Sequence, residues 1–390
     1  MSELKYWVWL SELFPKGSDK PNMLLDAFET PEQIFTAPEE TLKQTGLLNE
    51  QEVERVLRHS LERSEYILKE AERLRMQVVS MEDSLYPVRL KTIYGAPPLL
   101  YVYGDIAGID DNVVLGIVGT RDPSDYGKAV TDRLSYELTA AGAAVVSGCA
   151  VGIDTHAHLG ALKAGGKTYG VLGCGLDIDY PVQSNKLKKQ ILLRGGALIS
   201  ELPPGTTVSG RYFPTRNRLI SGLSLGVIIT EAPVRSGSVI SLNHALEQGR
   251  DTFCVPPHDI YDSRYRGVVI PLRDYAKAVY DANDVLFEYY SEYSHKLTAD
   301  KVVGEYIRQA REEKKEPKKA APEEPESFPE PELTGEKKAV YDALALEPQY
   351  VNDLAEKTGL PLQALLPALT ELELEGLAIS YSGQRFGRVR

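Results

Sequence analysis

The sequence predicts a doubly wound, Rossmann-like α/β protein with a mostly parallel sheet and a small domain on either side. Between residues 113 and 255, short continuous apolar runs alternate with helical segments, which is typical of parallel strands buried on both faces. Several of these runs end directly in a Gly-rich or Arg-rich turn. A Pro-, Glu- and Lys-rich stretch then separates this region from a compact C-terminal unit.

Residues 1–76 predict a small helical domain. Turn residues interrupt the helical pattern at Gly17-Ser18, Pro31, Pro38 and Gly46, and a longer helix is expected from about residue 52 to residue 75. The pattern specifies no chemistry for this domain.

Residues 77–300 form the predicted core, in which strands and helices alternate. No strict Gly-x-Gly-x-x-Gly sequence opens it, which argues against a dinucleotide cofactor. The predicted strands span 113–118, 144–146, 169–172, 197–199, 227–229 and 252–255. The predicted helices span 126–141, 153–163, 185–193, a segment beginning near 217, and 239–248.

Residues 301–334 predict a disordered linker, because they contain almost no apolar side chain that a core would bury. Residues 335–390 predict a compact unit with helices over 336–346, 351–358 and 362–375, an apolar segment over 377–381, and a basic tail.

Charge is unevenly distributed along the chain, whose formal net charge is −12. Residues 1–111 carry 12 Lys and Arg against 20 Asp and Glu, residues 112–286 carry 18 against 16, and residues 287–390 carry 14 against 20. The core alone is not acidic, so a local basic patch for phosphate is compatible with the overall charge. No signal peptide or run of about 20 apolar residues is present, which predicts a cytoplasmic protein.

Glycine, arginine and serine residues at the strand ends predict an anion-binding cleft. The carboxyl ends of parallel strands gather along one crevice, where helix N-termini and free backbone N–H groups favour phosphate. Phe213, together with Tyr180, supplies a surface on which bases can stack. The candidate binding residues are Gly119, Thr120, Arg121, Ser147, Gly148, Lys186, Lys189, Phe213, Arg216, Asn217, Arg218, Ser236, Gly237 and Ser238.

The motifs of residues 80–286 resemble those of the DNA-processing protein A family (DprA, also called Smf). The resemblance rests on Tyr86-Pro87, Pro97-Pro98, Gly119-Thr-Arg121, Tyr126-Gly127, Val146-Ser-Gly148, Gly152-Ile-Asp154, Leu172-Gly173, Gly175-Leu-Asp177, Tyr180-Pro181, Ser200-Glu201, Phe213-Pro214, Arg216-Asn-Arg218, Glu231-Ala232, Ser236-Gly-Ser238 and Gly249-Arg250. The flanking segments are similar to the helical N-terminal and winged-helix C-terminal modules often attached to this core.

The resemblance implies a non-enzymatic protein that binds and protects single-stranded DNA and loads a RecA-type recombinase onto it during natural transformation. It also implies a homodimer. From the residues themselves we expect neither a cofactor nor a metal. The chain departs from the family pattern at Val151, where an arginine is usual, at Pro257, where a glycine is usual, and over residues 267–272, where Val269 stands in place of an asparagine.

Two other functions compete with this interpretation. Glu201 and Glu231 suggest a nucleoside-monophosphate phosphoribohydrolase, in which a carboxylate acts at the sugar while a turn holds the phosphate, although that group's Pro-Gly-Gly-x-Gly-Thr run is absent. Sequence-specific groove recognition by the C-terminal unit is disfavoured, because its third helix carries Glu371, Glu373 and Glu375 and no Lys or Arg.

His156 and His158 stand two apart on a predicted helix and therefore point in different directions, which argues against a metal site.

Overall fold

A computed structural model describes residues 3–58, 60–298, 333–381 and 384–389. The chain divides into two compact units, residues 1–316 and residues 317–390. Within the described ranges, no helix is both long enough and apolar enough to cross a bilayer.

The N-terminal helices enclose a small core of their own. Leu10, Leu24, Ile34, Leu42 and Val56 are fully buried within it. The expected long helix over residues 52–75 is two helices instead, because the chain leaves helical geometry at Arg58 and the Ser60 hydroxyl accepts from the backbone N–H of Glu62. The helices are α1 (Leu4–Leu13), α2 (Lys20–Phe28), α3 (Pro31–Thr36), α4 (Glu39–Gln44), α5 (Glu50–Leu57) and α6 (Glu62–Arg73).

A nine-stranded sheet forms the core among the described residues. Its strands are β1 (Gln77–Ser80), β2 (Leu99–Gly104), β3 (Val114–Val118), β4 (Ala144–Ser147), β5 (Thr168–Val171), β6 (Ala197–Ser200), β7 (Gly226–Ile229), β8 (Asp251–Cys254) and β9 (Lys277–Ala278). Their order in the sheet is β1-β2-β6-β5-β4-β3-β7-β8-β9. The strands from β6 to β9 in this order pair in parallel, whereas β2 pairs antiparallel with both β1 and β6. The mostly parallel sheet is thus confirmed.

Helices cover both faces of this sheet, which explains why its strands are continuously apolar. On β3, Leu115 and Ile117 pack in one buried cluster with α8 (Asp125–Ala140) and α9 (Ile153–Lys163). Val114 and Val118 pack on the opposite face with α11 (Tyr212–Leu223) and α12 (Gly237–Glu247). The helices of the core are α7 (Val88–Lys91), α8 (Asp125–Ala140), α9 (Ile153–Lys163), α10 (Asn185–Leu193), α11 (Tyr212–Leu223), α12 (Gly237–Glu247), α13 (Arg266–Asp274) and α14 (Asn283–Tyr293).

The strand order reverses between β3 and β7. From β3 the chain builds β4, β5 and β6 outward on one side, and β7 then returns to pair with the other edge of β3. Such a reversal leaves a crevice outside the carboxyl ends of the two strands, and ligands of open α/β sheets bind there.

Over residues 333–381 and 384–389, the C-terminal unit is a winged-helix domain with three helices and a three-stranded sheet. Val340, Leu354, Leu365, Leu369 and Leu372 form its buried core. The predicted linker over 301–334 lies outside the described residues, apart from residues 333 and 334. The elements are α15 (Gly335–Ala343), β10 (Gln349–Tyr350), α16 (Val351–Thr358), α17 (Leu362–Leu374), β11 (Ala378–Tyr381) and β12 (Arg385–Arg388), and the strands are ordered β10-β12-β11.

Candidate nucleic-acid interface

A cleft of about 430 Å³ opens at the point where the strand order reverses. We call it the switch-point cleft. Its walls come from the end of β3, the first turns of α11 and the start of α12. Nine of the predicted binding residues line it: Gly119, Thr120, Arg121, Phe213, Arg216, Asn217, Ser236, Gly237 and Ser238.

Arg121 lies over the Phe213 ring, and the Tyr180 ring is tilted against Phe213, at the mouth of the cleft. The Arg121 guanidinium lies 5.3 Å from the centre of the Phe213 ring, and the Tyr180 ring lies 5.7 Å from Phe213. Arg121 is exposed and, among the residues that the structure describes, forms no ion pair; the neighbouring Asp125 pairs with Lys128 instead. The group therefore combines a cation free to meet a phosphate with a surface on which a base can stack.

The first turn of α12 supplies a second wall. The Ser236 hydroxyl accepts from the backbone N–H of Ser238, which caps the helix, and the two serine hydroxyls lie 2.6 Å apart. The Asn217 side-chain amide donates to the carbonyl of Gly237 at 3.0 Å and so fixes α12 against α11. The positive end of the α12 dipole and two hydroxyls consequently face the cleft.

Arg235 also lines the cleft and is exposed, although it was not among the predicted binding residues. The signal was present in the sequence, because Arg235 directly precedes the Ser-Gly-Ser start of α12.

Arg216 is buried in the floor of the cleft. One of its terminal nitrogens donates to the carbonyl of Gly148 at 2.8 Å and also to the carbonyl of Val171, and the guanidinium occupies the space that a Cβ at residue 148 would need. Desolvation lowers the pKa of Arg216 and raises the pKa of the buried Asp154 carboxyl, while each charge partly offsets the other's burial. Asp154 accepts from the backbone N–H groups of Gly148 and Ala150. Arg216 thus ties together the carboxyl ends of β4 and β5.

Arg218 does not join the cleft, and that part of the sequence prediction is wrong. Its guanidinium makes a bidentate ion pair with Glu201, at 3.1 and 2.7 Å, with both side chains 6% exposed. The predicted turn over 213–218 is the beginning of α11, which starts at Tyr212 and not near residue 217. Because residues two apart on a helix point about 200° apart, Arg216 and Arg218 face opposite ways.

Three other predicted residues lie away from the cleft surface. The Ser147 hydroxyl is buried and donates to the carbonyl of Ile117 at 2.6 Å. Lys186 and Lys189 are exposed on α10 but do not line the cleft. Lys188, between them, is buried and donates to the carbonyl of Tyr180 at 2.7 Å, so it holds the aromatic group in place.

The two carboxylates that suggested a hydrolase have structural partners. Glu201 is paired with Arg218, and Glu231 is fully buried. The Glu231 carboxylate accepts from the backbone N–H and the hydroxyl of Ser124, the residue that caps α8, and its backbone carbonyl accepts from the N–H of Thr120. Neither carboxylate lines the cleft.

The histidines of α9 point to different partners, as the sequence predicted. His156 lies 3.0 Å from the carboxylate of Asp132, whereas His158 is fully buried between the hydroxyl of Thr168 and the thiol of Cys149. Burial lowers the pKa of His158 to about 3 and raises the pKa of Cys149 to about 12. Over the described ranges, no group of three His, Cys, Asp or Glu is placed to hold a metal ion.

A small recess adjoins the cleft beneath the aromatic group. Gly148, Val151, Gly173, Tyr180 and Phe213 are among the residues that line it. The departure from the family pattern at residue 151 therefore removes a cation from the rim of this recess, while Pro257 and Val269 line neither the recess nor the cleft.

Comparison with known proteins agrees with this architecture. The family described as DNA recombination-mediator protein A matches residues 77–290, and the DprA winged helix domain matches residues 323–384. Protein Smf of Synechocystis is 30% identical over 99% of both chains, and the Bacillus subtilis DNA processing protein DprA is 38% identical over 55% of this chain and 71% of its own.

Solved structures show the same likeness. The X-ray structure of DNA processing protein A from Streptococcus pneumoniae is 31% identical with a TM-score of 0.62 and covers 73% of this chain and 97% of its own. A structure of DNA processing protein A from Helicobacter pylori, described by its single-stranded DNA binding mode, is 29% identical with a TM-score of 0.50 and covers 55% of this chain and 97% of its own. The sheet with its reversed strand order, the C-terminal winged helix and these matches together place the chain in the DNA-processing protein A (DprA/Smf) family.

Proposed function

We propose that this protein binds single-stranded DNA in the switch-point cleft, protects it, and passes it to a RecA-type recombinase without carrying out chemistry of its own. The observation that carries the proposal is the group formed by Arg121, Phe213 and Tyr180, because single strands require a cation for the backbone and a π-surface for the bases. The start of α12 adds hydroxyl and backbone donors for a second phosphate.

Recognition in this arrangement is independent of base sequence. Backbone contacts position a strand and stacking accepts any base, since every base has a π-face. A duplex hides the base faces from Phe213, so single strands are favoured over duplex.

A competition experiment tests this preference. A labelled single-stranded oligonucleotide bound to the full chain is challenged with unlabelled single strand or with duplex of the same sequence. We expect the single strand to compete at lower concentration, and Arg121→Ala to weaken its binding. Equal competition by duplex would reject the proposed site.

Glu201 pairs with Arg218, and Glu231 accepts a hydrogen bond from Ser124. Because both carboxylates serve structural contacts, neither is available for the hydrolase reaction, and this supports binding without catalysis. Incubating the pure protein with nucleoside monophosphates tests that alternative directly. We expect no release of free base.

The transfer to a recombinase and a homodimeric assembly rest on membership of the family. Strand exchange by the cognate recombinase on strands coated with single-strand binding protein should be stimulated by the wild-type chain, and Arg121→Ala should lose that stimulation in proportion to its lost affinity. Tight DNA binding without any stimulation would leave protection as the function.

A further inference from the structure

A second cleft, of about 640 Å³, lies between the N-terminal helices and the core. We call it the interdomain cleft. Lys16, Arg55 and Arg63 line it from the helical side, and Arg211, Tyr212 and Thr215 line it from the start of α11. Among the described residues that line it, Glu12 alone is acidic.

The charge of this cleft is opposite to that of the domain that provides most of it. Residues 1–76 carry 10 Lys and Arg against 15 Asp and Glu, yet four cations and one carboxylate line the cleft. Glu12 is already engaged on both oxygens, by Lys16 at 2.8 Å and by Arg63 at 3.1 Å. The cations therefore outnumber the available negative charge, and a polyanion would supply the balance.

The core side of the interdomain cleft repeats the chemistry of the switch-point cleft. The Arg211 guanidinium lies 4.9 Å from the centre of the Tyr212 ring and donates to its hydroxyl at 3.0 Å. Arg211 is exposed and forms no ion pair among the described residues. A cation beside an aromatic ring is again the combination that single strands require.

The first turns of α11 lie between the two clefts and line both of them. Phe213, Arg216 and Asn217 lie on the face of α11 toward the switch-point cleft, whereas Arg211 and Thr215 lie toward the interdomain cleft. This division follows from helical geometry, since side chains three or four residues apart share a face. A strand leaving Phe213 thus needs to pass only the first turn of α11 to reach Arg211.

We infer that the interdomain cleft is a second binding segment for the same single strand, and that Arg55 and Arg63 of the helical domain contact its phosphodiester backbone. The inference rests on the proposed function. In this arrangement the N-terminal helices increase the number of nucleotides of single strand that one molecule binds.

Removal of both helical-domain arginines tests the inference. Arg55→Ala with Arg63→Ala takes away two phosphate contacts, which should reduce the slope of log affinity against log salt by about 1.4. If affinities converge near 1 M salt, this slope corresponds to about 25-fold weaker binding near 0.1 M. The loss is expected for an oligonucleotide of about 20 nucleotides and not for one of about 6, which fits in the switch-point cleft alone.

Arg58→Ala with Arg73→Ala is the matched control, because it removes the same charge from the same stretch of helices. Those side chains are 75% and 64% exposed, pair with Glu54 and Glu70, and do not line the cleft. We expect wild-type binding of both oligonucleotides. Equal loss in the test and control pairs would attribute the effect to net charge and overturn the inference.

Arg121→Ala separates failure of the inference from failure of the proposed function. It should weaken binding of both oligonucleotides. If it does, and the Arg55/Arg63 variant still binds the long strand like wild type, the switch-point cleft stands and the interdomain segment is rejected. If Arg121→Ala binds both lengths normally, the proposed function itself fails.

Melting curves establish whether the variants fold, since Arg55 also donates to the carbonyl of Leu13. Should the double variant prove unfolded, Arg211→Ala carries the test from the core side. We expect it to lower the slope by about 0.7 on the long strand only. An unchanged slope for Arg211→Ala would overturn the inference.

Discussion

Replacing Arg218 with alanine should unfold the core at a lower temperature without removing its DNA site. The guanidinium is buried with Glu201, and the two groups share two hydrogen bonds. Alanine would leave the Glu201 carboxylate buried without its cation, and a buried charge that loses its partner is costly.

The expected destabilisation is about 3–5 kcal/mol, the usual cost of breaking a buried ion pair by removing one member. In a domain of about 200 residues this lowers Tm by about 6–20 °C. Thermal unfolding followed by circular dichroism measures the shift. At a temperature where the variant is folded, its affinity for single strands should equal that of the wild type, because Arg218 does not line the switch-point cleft.

Two controls isolate the burial of the pair. Arg264→Ala removes one member of an exposed pair with Asp262, and should cost at most about 1 kcal/mol. Arg218→Met combined with Glu201→Leu removes both charges and should recover most of the lost Tm. A variant Arg218→Ala that melts like the wild type and yet binds single strands weakly would place Arg218 in the DNA site and not in a structural ion pair.

Three further outcomes follow from the same contacts. Phe213→Ala should weaken single-strand binding by about 1–3 kcal/mol in an affinity titration, with little change in the slope of log affinity against log salt. Phe213→Tyr keeps the ring and should keep the affinity. A changed slope without lost affinity would argue against stacking. Deleting residues 335–390 should leave single-strand affinity within a few-fold of that of the full chain, because α17 is acidic. If the remaining core is folded and no longer binds, the winged helix is the part that binds DNA. Burial lowers the pKa of His158 from 6.5 to about 3. Between these pH values the His158 imidazole takes up a proton in the unfolded chain and not in the folded one. The free energy of unfolding is therefore highest above pH 6.5 and falls as the pH falls toward 3. Denaturant titrations should show this loss at up to about 1.4 kcal/mol per pH unit, and His158→Gln should lack it while the exposed His258→Gln keeps it.

The parallel part of the sheet was predictable from the sequence because its signals are local. Each of its strands from β3 to β8 coincides with a short, mainly apolar run, and glycines stand close to most of these runs in the sequence. Helices α9, α10 and α16 begin and end where the pattern placed them. In contrast, β1, β2 and β9 were not predicted, and the antiparallel pairing of β2 with β6 depends on tertiary contacts that no local pattern encodes.

The candidate site was predictable in its membership more than in its geometry. Gly119 and Arg121 were predicted to line a cleft because they follow a strand, and Phe213 because it stands in a segment rich in Pro and Arg. The opposite orientations of Arg216 and Arg218 were missed because Phe213-Pro214 resembles a loop, although proline is tolerated in the first turn of a helix. The partner of Arg218 lies 17 residues away, at the end of β6, and only the folded chain brings it close.

The most direct test of the central claim is the salt dependence of single-strand binding by Arg121→Ala. Loss of one phosphate contact should reduce the slope of log affinity against log salt by about 0.7, or about fivefold in affinity near 0.1 M if the curves converge near 1 M. Arg273→Ala, an exposed arginine on α13 outside the cleft, should keep the wild-type slope. A wild-type slope and affinity for Arg121→Ala, or the same loss in both variants, would contradict the assignment of the switch-point cleft as the DNA site.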